Sequence, residues 1–174
     1  YPIVIGQLEI PQEVTIAAFK KAQDFGAITI LNPAPFAVIS PDLISVSDWI
    51  IPNESEFAGM HPQGLGPTSD KNILEIAATL KARFVVTLGE KGAAFTARDG
   101  EIRRVAAPQV NAIDTTGAGD AFVGAFAVGL AAHLSDEKAI ALGCACASES
   151  VTREGTQSSY PTPGQAQEIF RSLN

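Results

Sequence analysis

The sequence predicts a single α/β domain over residues 1–174, with a mostly parallel central sheet and helices on its faces. Short apolar runs alternate with longer amphipathic runs, which is the order expected when each parallel strand is followed by a crossover helix. The chain has 174 residues, of which 46% are hydrophobic, and this is enough for one domain with a sizeable core. Ligands of such sheets bind at the carboxyl ends of the strands, so functional residues are expected there.

The first third of the chain shows the alternation directly. Tyr1 to Gln7 is a short apolar run that predicts a buried strand, and Pro11 is typical of a helix start. In the helix that follows, five residues lie at helical spacing: Val14, Ala17, Ala18, Lys21 and Ala22. Gly26 ends that helix, and two further strands are predicted, at Ala27 to Leu31 and Trp49 to Ile51.

The remaining segments continue in the same order. A Gly/Pro-rich loop runs from Gly59 to Ser69, and it contains His61, which has no ligand-like neighbour in sequence. After this loop we predict a helix at Asp70 to Ala82, strands at Phe84 to Leu88 and Ala93 to Ala97, a hairpin turn at Asp99-Gly100, and helices at Gly117 to His133 and Asp136 to Thr152.

Composition excludes several classes of function. A net charge of −7 and an isoelectric point near 4.7 argue against nucleic acid, which needs a basic face. No apolar run approaches the roughly 20 residues of a membrane span, so a soluble protein is expected, in the cytoplasm or in an organelle. Cys144 and Cys146 lie two residues apart in an apolar helical run, where they cannot bridge each other, and they are expected to be core residues.

The stretch from Gly117 to Asp120 has the strongest chemical signal. Gly117, Ala118 and Gly119 form a small-residue turn before an apolar helix, and the unpaired N–H groups of a helix start attract an anion such as phosphate. A carboxylate at Asp120 would be repelled by that anion, so it indicates a specific role: accepting the proton of an attacking hydroxyl. The alternative is that these residues only cap and pack a helix.

Asp114-Thr-Thr-Gly-Ala-Gly-Asp-Ala-Phe122 resembles the C-terminal signature of the ribokinase-like (PfkB) family of carbohydrate kinases. Five further segments match the family in the same order and cover nearly the whole chain: Gln7-Leu-Glu9, Asn32-Pro-Ala-Pro35, Pro52-Asn-Glu-Ser-Glu56, Thr87-Leu-Gly-Glu-Lys-Gly92 and Val151-Thr-Arg-Glu-Gly-Thr-Gln-Ser-Ser159. The resemblance implies a ribokinase-like three-layer α/β/α fold. It also implies that the N-terminal strands and the sugar lid of the family precede Tyr1 and are absent from this sequence.

For the reaction, the resemblance implies ATP-dependent phosphorylation of the primary hydroxyl of a sugar. The sugar expected first is D-ribose, with D-ribose 5-phosphate as the product. Asp120 would be the general base, the Gly117 to Asp120 backbone the anion hole, and Glu9 a sugar-binding carboxylate. Without the family, Glu9 reads equally well as an exposed acid before a helix. The matching ATP-binding positions are Asn53, Thr87, Leu88, Gly89, Glu90, Lys91, Gly92, Gly119 and Cys144. Relatives often carry a polar residue where this chain has Cys144, and the Gly89 to Gly92 turn is also a plain hairpin signal.

The resemblance implies two metal ions beside ATP. Asn53 and Glu56 match an Asn-x-x-Glu motif that organises Mg²⁺, with Glu56 acting through water, although the same residues also form a capping box. A K⁺ ion would be held by oxygen atoms of Asp114, Thr116, Ser150, Arg153, Gly155 and Ser159. The alternative for the last segment is a loop marked only by Gly155 and Pro161.

Two other functions stay open on the sequence. One is a kinase of a different small sugar or a nucleoside, and the other is a non-catalytic nucleotide-binding fragment, because the enclosing lid is expected to be absent. The 174-residue chain alone is expected to have little activity. The full-length protein is expected to form a homodimer through the lid, and without it the sheet is expected to expose apolar surface.

Overall fold

The computed structural model describes residues 2–60 and 68–173, and in them the predicted α/β architecture with its alternating strands and helices is confirmed. Six strands form one mixed sheet in chain order: β1 Ile3–Gly6, β2 Ile28–Leu31, β3 Trp49–Ile50, β4 Arg83–Thr87, β5 Ala93–Thr96 and β6 Ile102–Val105. Seven helices occur in the described residues: α1 Gln12–Asp24, α2 Pro41–Ser45, α3 Glu54–Gly59, α4 Asp70–Leu80, α5 Ala118–Ala131, α6 Asp136–Ser150 and α7 Pro163–Ser172.

The chain divides into two compact units. The first consists of Tyr1–Thr87 and Ala94–Arg103, and the second of Leu88–Ala93 and Arg104–Asn174. One folding domain over 1–174 stays a prediction, and a single cooperative unfolding transition of the chain would support it.

Strands β1 to β4 of the first unit are parallel. Ile5 lies beside Ile30, Leu31 beside Ile50, and Trp49 beside Arg83. Their inward side chains and those of the helices form an apolar core that includes Phe19, Ile30, Leu31, Leu43, Ile50, Phe57, Ile73 and Phe84, all 0% exposed. Because the four strands run the same way, their carboxyl ends meet at one edge of the sheet.

Most residues of α1 that the sequence shows at helical spacing are exposed, so they do not form its buried face. Val14 is 54% exposed, whereas Thr15, Phe19 and Ala22 are buried. The reason lies in the facing strand, where a Cβ atom on Gly6 would be 2.7 Å from Cγ2 of Thr15 and 3.0 Å from Cζ of Phe19. The missing side chain of Gly6 therefore makes the space into which Thr15 and Phe19 pack.

Strand β1 was expected to be buried, and the structure corrects this. It lies at one edge of the sheet, and Ile5 is 44% exposed. Other apolar side chains of the first unit are also exposed, among them Ile10, Val14 and Val38. The first unit therefore has an apolar surface near its edge strand.

The middle of the chain follows the predicted turns. The Asp99-Gly100 hairpin is present, since the Ala97 N–H donates to the Glu101 carbonyl at 2.9 Å. Helix α4 ends at Leu80, two residues before the predicted end, because Lys81 is in the left-handed region. The loop predicted between Gly59 and Ser69 falls mainly on residues 61–67, so His61 lies outside the described residues. The short helices α2 and α7 were not predicted.

Helices α5 and α6 form the core of the second unit. A Cβ atom on Gly129 would be 2.8 Å from Cα of Ala139, and one on Gly143 would be 2.9 Å from the ring of Phe122. The two helices therefore pack closely because glycines face the partner helix at the contact points. Among the described residues, no helix has the length and apolar character needed to cross a membrane.

Candidate active site

The start of helix α5 is a tight turn around Gly117. Gly117 is the N-cap, and its φ of 79° is a conformation that favours glycine. Glycine has no side chain, so the cap residue accepts no side-chain hydrogen bond from the helix N–H groups. The Ala118 N–H donates to the Thr115 carbonyl at 3.2 Å, and the Ala121 N–H donates to the Gly117 carbonyl at 3.0 Å. The Ala118 N–H is thus bound within the turn, but the first N–H groups of a helix have no intrahelical carbonyl to bind, so this end carries donors and partial positive charge.

Asp120 is the third residue of α5 and is exposed. Gly119, one position before it, is also exposed, and a Cβ atom built there would meet nothing within 4 Å. The carboxylate is therefore not turned into the protein interior, which would have excluded a catalytic role. The helix start has open space in which an anion and a second group could meet.

Tyr160 lies against the same turn, and sequence reasoning missed it. A Cβ atom on Gly117 would be 3.1 Å from the Tyr160 hydroxyl oxygen and 3.2 Å from its ring atom Cε1. Burial, and then the negative charge of Asp120, raise the pKa of the Tyr160 phenol above its ordinary value. No local pattern around Tyr160 signals this contact, because the two segments are far apart in the chain.

The carboxylate of Asp114 joins two turns of the second unit. Its Oδ1 accepts from the Thr116 N–H at 2.9 Å and from the Thr116 hydroxyl at 2.6 Å, and its Oδ2 accepts from the Gly155 N–H at 3.0 Å. These hydrogen bonds, with the Thr116 hydroxyl first, hold the pKa of Asp114 below its ordinary value. The structure thus brings Asp114, Thr116 and Gly155 together, with Gly155 contributing its N–H, and their binding of K⁺ stays a prediction.

The segment from Ser150 to Ser159 is held to that turn and to itself. The Ile113 N–H donates to the Val151 carbonyl at 2.7 Å. The Arg153 guanidinium donates to Glu149 and to the Ser159 carbonyl, both at 2.8 Å. Ser150 and Ser159 are fully buried: the Ser150 hydroxyl donates to the Ala147 carbonyl of α6, and the Ser159 hydroxyl donates to the Thr156 carbonyl. The residues predicted to bind K⁺ therefore belong to one bonded group of turns.

In the first unit, the predicted site residues follow the carboxyl ends of parallel strands. Glu9 is exposed after β1, in a loop where the Leu8 N–H donates to the Ala34 carbonyl at 3.0 Å. Asn53, which follows β3, pairs in an isolated parallel bridge with Thr87, the last residue of β4. The structure therefore brings Asn53 and Thr87 side by side at the edge where a ligand is expected.

The capping box predicted at the start of α3 is present. The Asn53 side chain accepts from the Glu56 N–H at 2.8 Å, and Oε2 of Glu56 accepts from the Asn53 N–H at 2.8 Å. Burial raises the pKa of Glu56, and the hydrogen bond from Asn53 lowers it by a smaller amount. One carboxylate oxygen of Glu56 is used by the protein in this way.

The remaining predicted ATP residues lie in the second unit. Gly89 to Lys91 form one 3₁₀ turn, with Leu88 buried and Glu90 and Lys91 exposed. Gly92 has φ of 92°, and a Cβ atom there would be 2.0 Å from the Val105 carbonyl oxygen, so only glycine fits. Cys144 is buried in α6, and burial raises the pKa of its thiol to about 12. It is a core residue in this helix, and its place in an adenine pocket stays a prediction.

A scan against protein families matches residues 4–163 to the pfkB family of carbohydrate kinases. Among curated relatives, a ribokinase of Haemophilus influenzae is 37% identical over 94% of this chain and 54% of its own length. A deoxyribokinase of Salmonella typhi is 36% identical over 99% of this chain and 56% of its own length. The chain spans about half the length of the curated relatives it matches.

Solved structures have the same fold. The ribokinase of Arabidopsis thaliana, in complex with ribose and ATP, matches with a TM-score of 0.88 at 28% identity, over 97% of this chain and 55% of that one. Phosphofructokinase-2 of Escherichia coli, in complex with potassium, matches with a TM-score of 0.77 at 26% identity, over 98% of this chain and 56% of that one. The chain thus has the ribokinase-like α/β fold, and it corresponds to about half the length of these proteins.

Proposed function

Because the chain belongs to the pfkB family of carbohydrate kinases, we propose that the full-length protein transfers the γ-phosphoryl group of ATP to the primary hydroxyl of a small sugar. The first candidate for this sugar is D-ribose. The observation that carries the proposal is the exposed carboxylate of Asp120 at the open start of α5. A helix start attracts the phosphate, and the acid beside it is placed to receive a proton.

Asp120 is the proposed general base. The O5 hydroxyl of ribose attacks the γ-phosphorus, its proton passes to the Asp120 carboxylate, and the bond from phosphorus to the bridging oxygen of ADP breaks. The new O5–P bond leaves ribose 5-phosphate and ADP. The proton passes to Asp120 as the new O5–P bond forms, so no free alkoxide is needed and the product oxygen does not keep a positive charge.

The backbone from Gly117 to Asp120 is the proposed anion hole. Ala118 and Gly119 begin the helix, and the open space beside Gly119 leaves room for phosphate oxygens. Donors that are already oriented stabilise the charge that develops on the transferring group, and they need no reorganisation during the reaction.

On the substrate side, we assign Glu9 to the sugar. We assign ATP to Asn53, Thr87, the Leu88 to Gly92 turn, Gly119 and Cys144. Support comes from the position of Glu9, Asn53 and Thr87 at or after the carboxyl ends of parallel strands, and from the bridge between Asn53 and Thr87.

The residues at α3 fit Mg²⁺ held through water. One oxygen of Glu56 accepts the Asn53 N–H, which orients the carboxylate and leaves the other oxygen to accept from a metal-bound water. Mg²⁺ held there would neutralise charge on the ATP phosphates. Asn53 and Glu56 would thus serve both the helix cap and the metal.

The turns around Asp114 fit K⁺. The donor set is oxygen only, from the carboxylate of Asp114, the hydroxyls of Thr116 and Ser159, and main-chain carbonyls of Ser150, Arg153 and Gly155. The Arg153 guanidinium forms an ion pair with Glu149 and donates to the Ser159 carbonyl. The Ser159 hydroxyl oxygen is therefore the atom of this residue that we assign to K⁺. K⁺ bound there would add positive charge to the turn that begins α5.

Other small sugars are the second candidate, since the deoxyribokinase relative is nearly as similar as the ribokinase. Nucleosides belong to the same test. A non-catalytic nucleotide-binding role for the 174-residue chain is favoured by its span of about half its relatives. We further propose that the full-length protein is a homodimer. The exposed apolar surface near β1 supports a contact with a second chain.

A coupled ADP-release assay tests the proposal on the full-length protein and on the 174-residue chain, with ribose, deoxyribose, fructose and adenosine as acceptors. We expect the highest kcat/KM with ribose for the full-length protein and little turnover by the short chain. Turnover only with adenosine would replace the sugar by a nucleoside, and no turnover with any acceptor would overturn the kinase proposal.

A further inference from the structure

We propose that the hydroxyl of Tyr160 donates a hydrogen bond to the γ-phosphoryl group of ATP at the start of α5, and that Tyr160 is a further substrate-binding residue of this site. The inference rests on the proposed function, because it takes the ligand from it. It adds a side-chain donor to a site otherwise built from backbone donors.

The first step is the position of the phenol. Its hydroxyl oxygen would be 3.1 Å from a Cβ atom on Gly117, the residue that caps α5. The charge of Asp120 acts on the same hydroxyl. Tyr160 therefore reaches both ends of the short stretch that forms the proposed anion hole.

The second step is that this donor is available. Within residues 2–60 and 68–173, no hydrogen bond uses the Tyr160 hydroxyl. Tyr160 is half-buried, and its hydroxyl oxygen lies beside Gly117, next to the exposed Gly119, where a Cβ atom would meet nothing within 4 Å. A phosphate oxygen is a strong acceptor, and a neutral O–H next to the Asp120 carboxylate offsets part of its repulsion of the anion.

The third step is that the segments before and after Tyr160 are both fixed by hydrogen bonds. Before it, the Ser159 N–H donates to the Thr156 carbonyl at 3.1 Å, and the Ser159 carbonyl accepts from Arg153. After it, Thr162 caps α7 in a capping box with Gln165, whose side-chain amide donates to Glu149 at 2.9 Å. Because Glu149 also binds Arg153, both flanks are tied to one carboxylate. A donor fixed in this way loses little conformational entropy when it binds a ligand.

The test uses the full-length protein and compares Tyr160→Phe with the wild type, because this change removes only the hydroxyl. Calorimetric titration with Mg-ATP and with Mg-ADP gives two affinities for each protein. ADP lacks the γ-phosphoryl group, so we expect Tyr160→Phe to weaken ATP binding about tenfold and to leave ADP binding unchanged, as for one hydrogen bond to a charged group.

A matched control is Ser158→Ala, which removes a hydroxyl from the same segment at an exposed position. This variant should bind both nucleotides as the wild type does. Equal ATP affinity of Tyr160→Phe and wild type would overturn the role of Tyr160. Parallel losses for ATP and ADP would also overturn it, since they would show a general loosening of the segment. A full-length wild-type protein that binds neither nucleotide would overturn the proposed function itself, and this inference with it.

Discussion

Helices α3 and α5 both carry an acid at their third position, and they use it in different ways. Each has an acid as its third residue, Glu56 in α3 and Asp120 in α5. In α3 the N-cap is Asn53, and its side chain and Glu56 close a capping box at 2.8 Å in both directions. In α5 the N-cap is Gly117, which has no side chain to accept an N–H.

The difference shows that the N-cap residue decides how a helix start is used. An Asn cap consumes backbone donors within the protein, and a Glu at the third position is long enough to return to the cap. A glycine cap in the left-handed conformation closes the turn but leaves donors for a ligand. An acid at the third position of such a helix stays next to the ligand instead of serving the cap.

The largest effect is expected from Asp120→Asn in the full-length protein. If Asp120 accepts the proton of the sugar hydroxyl, kcat should fall by about 10²- to 10⁴-fold, while ATP affinity stays the same or rises because a repulsive charge is lost. ADP release and calorimetric ATP binding measure the two quantities. An active variant would mean that Asp120 serves only the helix start, as the cap alternative requires, and the contrast with Glu56 would disappear.

Gly117→Ala should have a smaller effect, on stability. The new Cβ atom requires φ of 79° in a residue that disfavours it, and it would lie 3.1 Å from the Tyr160 hydroxyl. We expect a loss of about 1–2 kcal/mol in the free energy of unfolding, measured by urea denaturation. Gly119→Ala is the stability control, since its Cβ would meet nothing within 4 Å, and it should lose nothing. Equal losses in the two variants would show that the tight turn is not what requires glycine.

The smallest effects are in the pH dependence of stability, and they have opposite signs in the two regions. The folded pKa of Asp114 lies below its ordinary 3.8, so its contribution is present above that pH and is lost as pH falls through the folded pKa. The folded pKa of Glu56 lies above its ordinary 4.5, so its contribution is present below that pH and is lost as pH rises through the folded pKa.

Denaturation curves between pH 3 and 7 test both signs. Asp114→Asn should be less stable than wild type at pH 7, with the difference shrinking as pH falls below 3.8. Glu56→Gln should gain on the wild type as pH rises above 4.5, because Gln can still accept the cap N–H, as Gln165 does in α7. The same sign for both variants would contradict the proposed environments of the two acids.

The local features of both regions could be read from the sequence. The order of strands and helices, the Asp99-Gly100 hairpin and the Asn53 to Glu56 capping box all depend on residues close together in the chain, and the structure confirms them. The glycine turn before α5 was predicted for the same reason. Hydrogen bonds of turns and caps join neighbours, so residue type and spacing are sufficient to indicate them.

Contacts between distant segments were decided only by the tertiary structure. The spacing of residues within α1 does not indicate its buried face. Gly6 of the neighbouring strand makes the space that Thr15 and Phe19 fill. Local spacing also missed Tyr160, whose place beside Gly117 depends on how the segment after α6 packs against the start of α5. Both outcomes depend on which backbone lies opposite a side chain, and this is a property of the packed chain that no single stretch of sequence contains.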